Sequence, residues 1–184
     1  MLSFLTVFRM NSAEVYELTT KGGASDFARI VEICGRVGPY CLLGGLAVNC
    51  YVEPVYTLDA DFVVASAGMA DLKHELTRSG FSVEEFAHSL NSRAPESELR
   101  IQFSLDPRYQ QFLERARERE VLGVQVRVAA VEDVAQGKLW AYLDPERRLT
   151  KRKKDELDLL RMAEAFPHLR TLYPPELLRQ LDGR

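Results

Sequence analysis

Two aspartates interrupt an otherwise apolar stretch, T-L-D-A-D-F-V-V-A over residues 57–65, and they constrain the fold more than any other feature of the chain. Alternate residues of an extended segment share a face, so Asp59, Asp61 and Val63 point one way and Leu58, Ala60, Phe62 and Val64 the other. The aliphatic face must be buried, and the acidic face borders either solvent, as two harmless acids on a strand edge, or a cleft. Two carboxylates that close together repel each other until a cation relieves them, and both can hold one divalent ion. Upstream, residues 40–43 form a short apolar run closed by Gly44 and Gly45, and residues 46–52 supply two turns of helix before Pro54. Strand, glycine turn and helix in that order expose backbone N–H groups near a helix N-terminus, which is a cradle for phosphate. A cation on Asp59 and Asp61 would then meet a phosphate at the Gly44-Gly45 turn, the arrangement needed for attack on an α-phosphate.

The remaining pattern mixes helices and strands. Phe27, Ile30, Val31 and Cys34 lie on one face of a helix over residues 25–36, with Ser25 as its N-cap. Helix is expected over 69–79, extended chain over 81–86, a polar loop over 91–97, and strands over 99–105 and 124–128. In the first of these strands Gln102 and Ser104 face away from Ile101, Phe103 and Leu105. Asp106 and Pro107 open a helix through residue 118, and the chain is helical from residue 131 onward. This order implies an α/β (α+β) fold, a small mixed sheet flanked by helices with a helical C-terminal part. Residues 1–184 are expected to form a single domain, with an N-terminal helical segment over 1–36, a core over 37–130 and C-terminal helices over 131–184.

Composition narrows the partners. The chain has 184 residues, 46% hydrophobic and 28% charged, and a net charge of −3, which excludes a disordered chain and a generally basic nucleic-acid coat. Any anion needs a local patch, and the basic residues at 147, 148 and 151–154 provide one; they read either as a solvated helix face with i,i+4 pairs such as Lys154 with Asp158, or, since cations at a helix start oppose its dipole, as the seat of an anionic ligand. Cys34, Cys41 and Cys50 match neither a zinc nor a redox spacing and read as buried thiols, and His74, His88 and His168 lack metal-ligand spacing. Trp140 reads as core packing. The longest uncharged run, residues 37–52, is too short and too broken by glycine and proline to span a membrane. Residues 1–10 lack a basic leader and a cleavage site, and Met10 is an alternative start; a cytoplasmic protein is expected.

Two groups of residues resemble the polymerase-β-like nucleotidyltransferases and, within that superfamily, the AbiEii-type toxin-related family. The first is Leu43-Gly44-Gly45-Leu46-Ala47 with Tyr51, followed by Thr57-Leu58-Asp59-Ala60-Asp61. The second is Lys138-Leu139-Trp140-Ala141, Arg148, and Lys154-Asp155-Glu156-Leu157-Asp158, similar to the family's K-x-x-A, R and K-D-x-x-D signature. The resemblance implies that Asp59 and Asp61 ligate Mg²⁺ or Mn²⁺, that Gly44, Gly45 and Thr57 approach the phosphates of an NTP, and that Lys138, Arg148 and Lys154 contact the triphosphate. Asp155 and Asp158 would line the nucleotide side of the cleft. The family's third carboxylate, on a later strand, is replaced by Gln102, a neutral amide that adds no negative charge and cannot act as a base.

The resulting reading is a Mg-dependent transferase that moves an NMP from an NTP to an acceptor hydroxyl. By the resemblance the acceptor is an RNA 3′ end, particularly of tRNA, or a protein side chain, and a toxin role brings a cognate antitoxin. An alternative is a catalytically impaired member that binds a nucleotide or a partner protein. A third reading, transfer to a small molecule such as an aminoglycoside, has no pocket in the sequence to define it.

Overall fold

The computed structural model describes residues 10–183. The reading of residues 1–9 as lacking a leader falls outside the described residues. Among the described residues no helix is long and apolar enough to cross a membrane.

The chain begins with helix α1 (Ser12–Thr19), closed at its start by a capping box between Asn11 and Glu14. Helix α2 (Gly23–Val37) follows, and it starts earlier than the sequence implies. Ser25 is not its cap; the Ser25 hydroxyl and backbone N–H instead donate to the Glu17 carboxylate and tie α2 to α1. Strand β1 (Tyr40–Leu43), helix α3 (Gly44–Val48) and strand β2 (Asp59–Val64) realise the strand, glycine turn, helix and acidic strand. Helix α4 (Met69–Arg78) and strands β3 (Ser82–Glu85), β4 (Ser89–Arg93) and β5 (Arg100–Ser104) complete that half of the sheet. A single turn of helix, α5 (Phe112–Arg115), precedes the hairpin of β6 (Arg117–Val121) and β7 (Val124–Val128), and then α6 (Val131–Leu143), α7 (Leu149–Ala165) and α8 (Pro175–Asp182) close the described chain.

The strands form one seven-stranded mixed sheet in the order β3-β4-β5-β2-β1-β7-β6. β2 lies antiparallel to β1 and parallel to β5, with Leu43 opposite Asp61, Asp61 opposite Gln102 and Asp59 opposite Arg100. One face is the apolar core: Phe62 packs between Phe27 of α2 and Phe103 of β5 at ring distances of 5.9 and 5.7 Å. The alternating residues Asp59, Asp61, Arg100 and Gln102 therefore lie on the opposite face, over which α6 and α7 bring Lys138 and Lys151.

Three more elements differ from the sequence reading. Helix α3 takes in both glycines and ends at Val48, where helix was expected over residues 46–52. Of the helix expected from Asp106 through residue 118, only a 3-10 turn at Pro107–Tyr109 and the single turn of α5 form, because Arg117–Val121 pair with Val124–Val128 through a turn in which Leu122 and Gly123 both take positive φ, 50° and 83°. β6 is an edge strand whose Arg-Glu-Arg-Glu run faces solvent, so its period resembled a solvated helix. β4 occupies part of the expected polar loop; its polar residues pair between β3 and β5, and it ends just before Ala94 and Pro95.

Candidate active site

Gly44 fixes how closely the α3 turn approaches the acidic strand. Its φ of +64° disfavours any side chain, and a Cβ there would lie 1.9 Å from Asp61 Oδ2. A Cβ at Gly45 meets Thr57 at 3.4 Å, an ordinary contact, so only the first glycine is required by space. Thr57 is buried; its hydroxyl accepts from Lys154 Nζ at 3.1 Å, and its carbonyl accepts from the Tyr16 hydroxyl at 2.8 Å.

The two aspartates sit in different environments. Arg100 Nε donates to Asp59 Oδ1 at 2.7 Å, and Lys151 Nζ donates to Asp59 Oδ2 at 2.6 Å. Burial alone would raise the Asp59 carboxyl, but Lys151 and Arg100 outweigh it and hold it below the usual carboxylate range. Asp61 has no hydrogen bond or ion pair among the described residues, and burial pushes its carboxyl up against the opposing pull of Lys138. Gln102 stands beside Asp61 on the neighbouring strand, exposed toward the same cleft.

Behind this face lies a charged cluster. Lys138 on α6 is buried between Asp155 Oδ1 at 2.9 Å and Asp158 Oδ2 at 2.7 Å on α7. Burial opposes its charge, yet the two carboxylates more than offset that and raise it above an ordinary lysine. Arg147 closes on the second oxygen of Asp155 at 2.9 Å, and Arg161 on Asp158 at 2.9 Å. Lys154 titrates below an ordinary lysine because it is partly buried and close to Lys138. Three cations of the basic segment are thus spent on the fold, Arg147 on Asp155, Lys151 on Asp59 and Lys154 on Thr57, while Lys153 pairs with Glu156 at the surface. The side chains of Arg148 and Arg152 make no hydrogen bond or ion pair among the described residues, and the charge of Arg152 helps hold down the Glu156 carboxyl.

Asp61 and Gln102 divide two cavities. The first, about 150 Å³, runs from Gly44 and Asp61 to Lys138, Tyr109, Arg147 and Asp155. Burial pushes the Tyr109 phenol up to about 12, so it stays a hydroxyl at neutral pH. The second, about 310 Å³, spreads over β3, β4 and β5 and is bordered by Asp59, Glu84, Asn91, Arg93 and Arg100. Of the residues singled out in the sequence, Gly44, Asp61, Gln102, Lys138 and Asp155 share the first cavity and Asp59 borders the second. Gly45 and Thr57 meet beside them. Arg148 projects from the start of α7 without reaching either cavity, and Asp158 is enclosed by Lys138 and Arg161. Trp140 stacks on Phe112 at 5.6 Å with Arg108 over its ring, as core packing requires.

Sequence reasoning missed Arg100. Its role depends on cross-strand register, and the only signal was its alternation with Gln102. Cys34 and Cys41 are buried free thiols, whereas Cys50 is partly exposed.

Asp61, a desolvated carboxylate that has no donor among the described residues and borders both cavities, fits a cation. Among the described residues no three His, Cys, Asp or Glu side chains converge on one point.

Comparison with protein-family models and with curated proteins gives no match. Solved structures do match. The chain is similar to the antibiotic-resistance factor ANT(2'')-Ia at 16% identity, covering 81% of this chain and 89% of that one, with a TM-score of 0.58. A structure of ANT(2'')-Ia in complex with adenylyl-2''-tobramycin matches at 14% identity over 82% and 98% of the two chains, with a TM-score of 0.54. The lincosamide antibiotic adenylyltransferase LnuA, bound to lincomycin, matches at 12% identity over 77% and 96%, again with a TM-score of 0.54. At these identities the likeness establishes the fold, the mixed sheet with flanking helices of the nucleotidyltransferases.

Proposed function

We propose that the chain is a Mg²⁺- or Mn²⁺-dependent nucleotidyltransferase of the polymerase-β-like superfamily, moving an NMP from an NTP to the hydroxyl of an acceptor. The observation that carries this reading is Asp61, a desolvated carboxylate without a partner, set against Gly44 at the junction of two cavities. Asp61 would hold the cation, which when bound would supply charge neutralisation and Lewis-acid polarisation to the phosphates. The triphosphate lies along the first cavity, with Lys138 and Arg147 behind Asp155 and the α3 backbone N–H groups toward the phosphates. The acceptor enters through the second cavity. Its hydroxyl oxygen bonds to the α-phosphorus as the bond to the β-bridging oxygen breaks, and pyrophosphate leaves with that electron pair. Gln102 takes no proton, Asp59 is held by two cations and Asp61 holds the divalent ion, so the hydroxyl proton passes to solvent in the open second cavity.

The acceptor we favour is a small, polar, hydroxyl-bearing molecule. A cavity of about 310 Å³ lined by amides, acids and arginines suits such a ligand, and the basic segment expected to bind RNA is largely paired within the fold. The AbiEii-type resemblance supports the other acceptors, an RNA 3′ end or a protein side chain with a cognate antitoxin, and for these Arg148 and Arg152 are the free cations. We further propose that residues 1–184 form one domain and act in the cytoplasm.

The site is tested by nucleotide binding with Mg²⁺ and after chelation. Wild-type protein is expected to bind NTP only with the metal, and Asp61→Asn to lose that binding. Equal affinity in both proteins would refute the site. Metal-dependent binding without transfer to any acceptor would instead identify the catalytically impaired alternative.

A further inference from the structure

The two aspartates of β2 face the same cleft but are not equivalent. Both oxygens of Asp59 are taken by the protein's own cations, Arg100 at 2.7 Å and Lys151 at 2.6 Å. Asp61 has no such partner among the described residues. The position opposite Asp61 on β5 is the amide Gln102, and no third carboxylate, thiol or imidazole among the described residues converges with the pair. The formal charges of Asp59, Asp61, Arg100 and Lys151 sum to zero. Two divalent ions about 3.5–4 Å apart repel strongly and need several bridging anions to hold them. Here the cleft places fixed positive charge where a second ion needs negative charge.

We propose that this centre takes a single divalent cation, on Asp61, and that Arg100 and Lys151, oriented by Asp59, supply the positive charge that a second ion would bring. The proposal rests on the nucleotidyltransferase reading. The two cations come from unrelated places: Arg100 from the β2–β5 register, and Lys151 from the first turn of α7. The absence of a third carboxylate and the presence of the two cations are then one design. Gln102 costs the site an anion that a lone metal ion does not need, and cations fixed on Asp59 at the border of the second cavity, where the acceptor hydroxyl enters, require no reorganisation when charge develops there.

The test counts Mn²⁺ by electron paramagnetic resonance titration of the full chain with saturating non-hydrolysable ATP analogue. One Mn²⁺ per protein–nucleotide complex is expected. Two per complex would overturn the proposal and leave the transferase reading intact. Absence of nucleotide binding would overturn the transferase reading, and the proposal with it. A variant combining Arg100→Gln, Lys151→Gln and Gln102→Asp removes both fixed cations and restores the missing carboxylate, and its count is expected to rise to two. A count that stays at one in a variant with wild-type circular dichroism would contradict the charge substitution. The wild-type count stands even if that variant fails to fold.

Discussion

At the scale of the residue, Asp59 and Asp61 should respond in opposite ways to the same change. Asp61→Asn removes a desolvated charge with no donor, so in metal-free buffer it is expected to stabilise the protein by about 1 kcal/mol, roughly 2–4 °C in Tm for a chain of this size. Asp59→Asn leaves Arg100 and Lys151 facing each other without their shared carboxylate. Those partners are partly solvated, so the expected loss is on the order of 1 kcal/mol. Thermal melts of both variants after chelation measure this contrast, and equal shifts of the same sign would contradict it. The pattern of two acids repelling each other, which the sequence suggests, holds only for Asp61, because Asp59 is already neutralised. Gly44→Ala tests the close approach separately: it strains a backbone at φ +64° and drives a methyl group into Asp61. It should lower stability by about 1–2 kcal/mol from the left-handed conformation alone, and a nucleotide titration should show no metal-dependent binding in the folded fraction.

At the scale of elements, α6 and α7 are joined by a buried lysine between two buried aspartates. Lys138→Met leaves Asp155 and Asp158 with only Arg147 and Arg161, and it is expected to cost about 3 kcal/mol, since removing one partner of a buried ion pair leaves charge uncompensated. The sign of the pH dependence follows from the direction of the shift. Lys138 is more easily protonated in the folded state, so its contribution is complete below the ordinary lysine range near pH 10.5 and is lost as pH rises through its own higher value. Denaturant titrations carried from pH 9 to well above pH 11 should therefore show equal slopes below about pH 10 and a steeper decline in wild type than in Lys138→Met beyond it. The same elements show what the sequence made legible. The period-two alternation of residues 57–65 and the glycines that open α3 placed Asp59, Asp61 and Gly44 directly, because those relations are local. Lys154 and Asp158 looked like a pair along one helix, but Asp158 turns to Lys138 and Arg161, and Lys154 reaches Thr57. Those choices depend on how α7 packs on β2 and α6, which no local pattern encodes. The polar strands β4 and β6 were obscured for a related reason: their strand character comes from pairing partners, while their own residues favour loop or solvated helix.

At the scale of the whole molecule, the core is one continuous buried cluster that runs from Tyr16 of α1 through the sheet to Leu177 of α8. A domain built this way is expected to unfold in one cooperative step, with coincident transitions by circular dichroism and by Trp140 fluorescence. Two separated transitions would divide the C-terminal helices from the sheet and contradict the single-domain proposal. Lys151 and Lys154 reach the cleft only while α7 is docked on the sheet, so the same cooperativity keeps the site assembled. The central claim, nucleotidyl transfer at Asp61, is tested most directly by incubating the protein with α-labelled NTPs, Mg²⁺, and separate pools of RNA and hydroxyl-bearing small molecules, with Asp61→Asn alongside. The account predicts label transferred to a small-molecule acceptor, release of pyrophosphate, and loss of both with Asp61→Asn or on chelation. Label transfer that persists unchanged in Asp61→Asn would contradict it.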